Sequence, residues 1–210
     1  MNVDATTLSR IVVGAGVALL ALELLAKTAL HYRRTGSSGN VIAQAKRGVE
    51  RVVGFGMTAV SLGVALWGVL YAWLGPGPLQ VWVVSTPLAA AGALSIAASL
   101  ALIVAGHVHM GAAWRMGIDQ QRTELVTSGP FRFVRNPVYA GTVLFDLGLV
   151  LASPSPWTIS LAFLGAMMVS LQARLEEEHL IGLHAAEYLR WARSVGRFLP
   201  GVGLLDRERG

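Results

Sequence analysis

Two stretches of the chain, Val52–Leu74 and Val81–Gly106, each run for more than twenty residues without one charged side chain. Runs of that length can cross the roughly 30 Å hydrocarbon core of a bilayer, which takes about 20 apolar residues as a helix. A helix is also the form in which such a run satisfies its own backbone there. Three further stretches fit the same use. Ile11–Leu30 is interrupted only by Glu23 and Lys27, Val138–Ala152 carries Asp146, and Trp157–Ala173 carries no charge. The last two are short and joined by Ser153-Pro154-Ser155-Pro156, which predicts a tight helical hairpin. Only 14% of the residues are charged, against about 25% in soluble domains, so the chain reads as an integral membrane protein. Met1–Ser9 has no basic cluster and the apolar run after it is long for a signal peptide, so the first run is expected to stay as a span.

The basic residues test that count. Arg33, Arg34, Lys46, Arg47 and Arg51 lie between spans one and two, and Arg115, Arg122, Arg132 and Arg135 between spans three and four. Six more arginines follow span five, so fifteen of the seventeen Lys and Arg residues fall in alternate connections. Gly75–Gln80 and Ser153–Pro156 have none. By the positive-inside rule this predicts five spans with the N-terminus outside and the C-terminus in the cytoplasm. The expected fold is therefore an all-α multi-pass membrane protein. Residues 1–106 would hold three N-terminal spans, and 107–210 a core with the hairpin and a cytoplasmic C-terminal helix. Gly36–Asn40 reads as a flexible turn. The net charge of +5, distributed this way, favours anionic lipid headgroups over nucleic acid as a partner. With no cysteine in the sequence, disulfides, thiolate nucleophiles and Cys-ligated metals are excluded. The oligomeric state is not legible, and no metal site is expected.

The polar chemistry gathers in two blocks. Leu125–Gly141 is rich in turn formers and ends in Asn136-Pro137, a helix start in which Asn136 can cap and Pro137 can occupy the first position. A helix N-terminus beside Arg132 and Arg135 suits an anionic group. The second block, Arg174-Leu175-Glu176-Glu177-Glu178-His179-Leu180, continues span five. Arg174, Glu177 and Glu178 are spaced to share one helix face. A solvated helix end is the plain reading of this block, yet Arg before Glu is the less favourable helical order. Carboxylates at a membrane edge are better explained by a cation. One block for an anion and one for a cation suit a zwitterionic ligand such as S-adenosylmethionine, or a zwitterionic lipid headgroup such as phosphocholine.

The order Leu-Val-Thr-Ser-Gly, Arg-Asn-Pro-Val-Tyr-Ala-Gly, Arg-Leu-Glu-Glu-Glu-His-Leu, Ala186-Glu187-Tyr188 and Phe198-Leu199-Pro200 resembles the isoprenylcysteine carboxyl methyltransferase family over about Thr123 to Pro200. Phospholipid N-methyltransferases share a similar core. The resemblance implies an S-adenosylmethionine-dependent enzyme of the membrane. It further implies that Glu124, Leu125 and Val126 line the cofactor mainly through backbone, with Phe131 at a position usually held by Tyr. Asn136, Pro137, Val138 and Tyr139 would complete the pocket, Glu178 would contact the cofactor with Glu177 nearby, and Arg174 would meet the substrate. Asn136 stands where the eukaryotic enzymes carry His, so a proton step at that position is not expected here.

The expected reaction is methyl transfer to a lipophilic acceptor at the cytoplasmic face, a prenyl- or isoprenoid-linked carboxylate or a lipid. A carboxylate acceptor is ionised at neutral pH and needs no base; Arg174 would hold it through a bidentate pair. An amine or hydroxyl would need one, and Glu177 is the candidate. Two alternatives remain at this level, a membrane reductase of the sterol reductase type and a non-catalytic membrane or transport subunit. Other features carry weaker signals. Glu23 and Lys27 read as an i, i+4 ion pair, and His107 and His109 as interfacial anchors. Ala89–Ala93 suits close helix packing. Asp146, a carboxylate inside a span, is either functional or bonded to a neighbouring helix.

Overall fold

A computed structural model describes residues 4–36, 42, 47–111 and 125–205. Its elements are five α-helices: α1 (Ala5–Thr35), α2 (Gly48–Leu74), α3 (Thr86–Met110), α4 (Pro137–Ala152) and α5 (Pro156–Ala192), with a 3-10 turn at Gly129–Arg132 before α4. Among the described residues β-pairing is confined to two isolated bridges, so the fold is all-helical. Four helices are long and apolar enough to cross a membrane, and α4 is a shorter apolar helix of 16 residues.

The helices start where local chemistry lets them. Asp4 caps α1, its carboxylate accepting from the Thr7 N–H at 2.9 Å. Ser155 caps α5, its hydroxyl accepting from the Thr158 N–H at 3.1 Å. Such a side chain satisfies one of the orphan donors of the first turn. The third span differs from expectation. Ser85 is its cap and Pro87 lies in its first turn, so α3 begins at Thr86 rather than Val81. Val81–Ser85 is a non-helical arm held to the α4–α5 hairpin, where the Trp82 N–H donates to the Pro154 carbonyl at 3.0 Å.

α3 and α4 run antiparallel at very close range. A Cβ on Gly92 would stand 2.7 Å from the Gly148 carbonyl oxygen, and one on Gly148 would stand 3.0 Å from that of Gly92. Ser95 and Ser99 donate across the same seam to the carbonyls of Leu144 (2.8 Å) and Gly141 (2.7 Å). The small residues around Gly92 thus let the backbones meet, as expected of Ala89–Ala93. The main core lies beside this seam. Val13 and Val17 of α1, Trp67 and Tyr71 of α2, Ile96 of α3, and Phe145 and Leu149 of α4 pack together. α5 lies on α2, with Met168 over Gly56 and Leu161 over Gly63.

Polar groups sort to the two ends of this bundle. At one end Ser9 meets the Tyr71 hydroxyl at 2.8 Å and the Ala152 carbonyl at 2.5 Å, and Arg10 donates to the carbonyls of Ala72 and Trp73 that close α2. Trp73, Trp82 and Trp157 are exposed there, an arrangement typical of a membrane interface. At the other end Glu23 bonds His107 Nδ1 at 2.6 Å, while Lys27 donates to the carbonyls of His107 and Gly111 at the close of α3. Glu23 therefore reaches across to α3, and His107 is a buried partner rather than an interfacial anchor. Among the charged groups Asp146 departs from the sorting. It is buried on α4 against Gly165 of α5, with no hydrogen bond or ion pair among the described residues.

Candidate active site

The α4 start is tied down from three directions. Gly129 opens the 3-10 turn at φ 59, a region that favours glycine, and lies against the His109 ring, where a side chain would collide. Phe131 is buried by this turn. The chain then pairs with its own tail. The Arg135 N–H donates to the Gly196 carbonyl at 2.7 Å, and the Asn136 N–H to that of Arg197 at 3.1 Å. Gly196 is required by the tail's own turn, because any Cβ there would run into the carbonyl oxygens of Leu199 and Val202.

Asn136 occupies the cap position but not in the expected way. Its side chain makes no capping bond to the helix and donates instead to the Arg197 carbonyl at 3.3 Å. Pro137 does take the first helical position and is fully buried. Val138 packs on Gly106 of α3, where a Cβ would stand 2.7 Å from the valine methyl.

Arg135 is not a free cation for a ligand. Its buried guanidinium donates to Glu177 Oε1 at 3.1 and 2.8 Å, and to the carbonyls of Ala192, Val195 and Gly203. Arg197 reaches the same carboxylate, donating to Oε2 at 2.6 Å through Nη2 and to both oxygens through Nε at 3.1 Å. Glu177 is thus buried between two guanidiniums. Desolvating this many charges is costly, and here each is met by hydrogen bonds that satisfy most of its polar atoms.

The neighbouring carboxylates point elsewhere. Glu176, half-buried, accepts from the Tyr139 hydroxyl at 2.5 Å and from Gln172 Nε2 at 2.9 Å, both on Oε1. Burial pushes the Glu176 carboxyl above its ordinary value, against the two hydrogen bonds that would lower it. Glu178 is exposed and accepts from Arg47 Nη1 at 3.2 Å on Oε2; Arg47 also holds Glu50 at 2.6 Å. Arg174 is exposed and has no ion pair or hydrogen bond among the described residues. The spacing that put Arg174, Glu177 and Glu178 on one face is therefore split by packing. Glu177 turns inward, and the other two look outward.

Leu125 and Val126 are half-buried on the approach to the turn, and Glu124 lies outside the described residues. The structure brings Tyr139 and Asn136 together with the Glu176–Glu178 stretch through Glu176 and the tail. Arg47, Gln172 and Arg197 belong to the same neighbourhood and were not singled out by the sequence. For Gln172 a signal existed, since it stands four residues before Glu176 on one helix face. Arg197 and Arg47 come from elsewhere in the chain, and no local spacing marks them.

The model of the phospholipid methyltransferase family matches residues 88–187, from the first turn of α3 to the residue before Tyr188. That segment contains the α3–α4 seam, the turn, the hairpin and the whole Arg174–His179 block. Neither the curated proteins nor the solved structures include a match to the chain.

Proposed function

We propose, from the match of residues 88–187 to the phospholipid methyltransferase family and from the resemblance to the isoprenylcysteine carboxyl methyltransferases, an S-adenosylmethionine-dependent methyltransferase acting on a lipophilic acceptor at the cytoplasmic face. The observation that carries this reading is the convergence of the α4 start with the end of α5. There Tyr139 is bonded to Glu176, and Arg135 to Glu177.

The residues present fit such a cofactor. Glu178 keeps Oε1 without a partner among the described residues, a carboxylate oxygen for a cationic group. Asn136, bonded only through nitrogen, keeps its side-chain oxygen, and the α4 N-terminus beside it suits a carboxylate. When bound, the cofactor supplies an electrophilic methyl group that leaves a neutral thioether behind. The protein's part is then mostly positioning, which alone can lower a barrier by several kcal/mol.

Glu177 has both oxygens occupied by Arg135 and Arg197, so we assign it to holding the α4 start rather than to taking a proton. Arg174 stands where α5 leaves its apolar run, its exposed guanidinium without a partner among the described residues and placed to meet an anionic headgroup whose tail stays in the bilayer. A carboxylate acceptor would need no base. For an amine acceptor, Glu176 is the available group, since Oε2 has no partner among the described residues and its pKa is already raised.

Calorimetry with S-adenosylhomocysteine on the purified protein tests the cofactor assignment. Binding is expected, and Glu178→Gln should weaken it by about 1–3 kcal/mol, the range for losing a charge-assisted contact. Arg174→Lys should bind as tightly as the parent while losing turnover on a farnesylated carboxylate or on phosphatidylethanolamine, whichever is methylated. Absence of binding in the parent protein would overturn the assignment.

A further inference from the structure

We infer that the turn before α4 and the tail after α5 form a foot that sits in the headgroup layer of the bilayer, with apolar side chains in the acyl boundary and arginines on anionic lipid. Phe133, Leu199 and Val202 are 66%, 62% and 59% exposed, the exposure of surface lysines rather than of apolar residues in a water-facing loop. They are not scattered. Val134, next to Phe133, pairs with Gly196, and Leu199 pairs with Val202, so the three belong to one small lobe. Isolated exposed apolar residues need no explanation, but a cluster on a polar part of a protein does.

Taken as a span, as the five-span reading has it, α4 is short, and that draws this lobe toward the bilayer. Sixteen residues make a helix of about 24 Å, short of the roughly 30 Å hydrocarbon core. A short span is matched by thinning of the bilayer or by drawing its flanks inward. The flank here is the lobe itself, hydrogen-bonded to the first residues of α4 through Arg135 and Asn136. Water is therefore not the surrounding of Phe133, Leu199 and Val202. Arg132 and Arg193 are exposed on the same two segments, a combination of apolar and basic side chains that matches an anionic lipid surface. A second copy of the chain would not account for the depth that α4 imposes.

The absence of native cysteine allows single-cysteine probes in the full chain. Phe133→Cys, Val202→Cys and, as an aqueous control on α5, Gly182→Cys would each carry an environment-sensitive fluorophore. The proteins would be reconstituted into phosphatidylcholine vesicles with and without phosphatidylglycerol. Lipids spin-labelled near the headgroup should quench the probes at 133 and 202 several-fold more than the probe at 182, and more so with phosphatidylglycerol. Arg132→Gln with Arg193→Gln should remove the phosphatidylglycerol dependence. Quenching at 133 and 202 no greater than at 182 would overturn the inference. So would probes shielded from both lipid labels and aqueous iodide, which would mean a protein occupant. Should the Phe133 variant fail to fold, Val202, whose side chain lies outside the core, decides alone.

Discussion

Glu176 and Glu177 are adjacent in sequence and have opposite surroundings, and the difference is measurable. Glu177 is met by two guanidiniums, whereas Glu176 is met by a phenol and an amide in a half-buried setting that raises its pKa above the ordinary 4.5. The folded protein thus holds the Glu176 proton more tightly than the unfolded chain does. Its contribution to stability is full below pH 4.5 and is lost as pH rises through the folded-state value. Glu176→Gln keeps the acceptor oxygen and cannot ionise. Its melting temperature should therefore fall less than that of the parent between pH 4.5 and neutral, as differential scanning fluorimetry in detergent would report. An equal decline in both would show that Glu176 is not the group responsible. The identities of these residues were legible in the sequence, but their directions were not. Helical spacing places Arg174, Glu177 and Glu178 within one arc, and two distant arginines, Arg135 before α4 and Arg197 in the tail, decide which of them is drawn inward. Asn136 was misread for the same reason, its side chain drawn away from the helix to a carbonyl of the tail.

Helices and their contacts were more legible, because apolar length and small-residue runs act locally. Each of the five expected spans falls on one of the five described helices, four of which are long and apolar enough to cross a membrane, and the hairpin at Ser153–Pro156 is present. The start of α3 was misplaced, since Val81–Val84 is as apolar as a helix while Ser85-Thr86-Pro87 supplies the start signal. The α3–α4 seam makes a direct demand. Gly92→Ala would place a methyl group against the Gly148 carbonyl and the Ala152 backbone, neither of which can swing aside. It should destabilise the fold by about 1–3 kcal/mol, as overpacking does, read from thermal unfolding in detergent. A melting temperature equal to that of the parent would mean the seam is looser than described. The kink in α5 predicts the reverse. Ala185 sits at φ 43, ψ −115, a conformation that glycine adopts without strain. Ala185→Gly should raise stability by about 1 kcal/mol, the relief of strain exceeding the added freedom of the unfolded chain. A less stable variant would count against that kink.

For the whole molecule, the alternation of basic and neutral connections predicts how the bundle sits in the membrane. Reporter fusions at Gly39, Gly77, Gln120 and Ser155 should alternate inside, outside, inside, outside, and a cytoplasmic signal at Gly77 or Ser155 would reject this orientation. The three exposed tryptophans lie at the end with the neutral connections, where either interface would accept them. Sequence reading captured the helices themselves because hydropathy is summed over many residues. It missed the tail, whose contribution rests on single carbonyl groups. Those carbonyls have a consequence in time. Arg135 collects acceptors from Ala192, Val195 and Gly203, and Asn136 from Arg197, all made after every span has been synthesised. During translation the five helices can enter the bilayer while the α4 start still lacks its anchors. A chain paused or cut before Val195 would have its helices but not these anchors, so under the proposed function cofactor affinity should arrive with the last residues of the lobe rather than accumulate helix by helix.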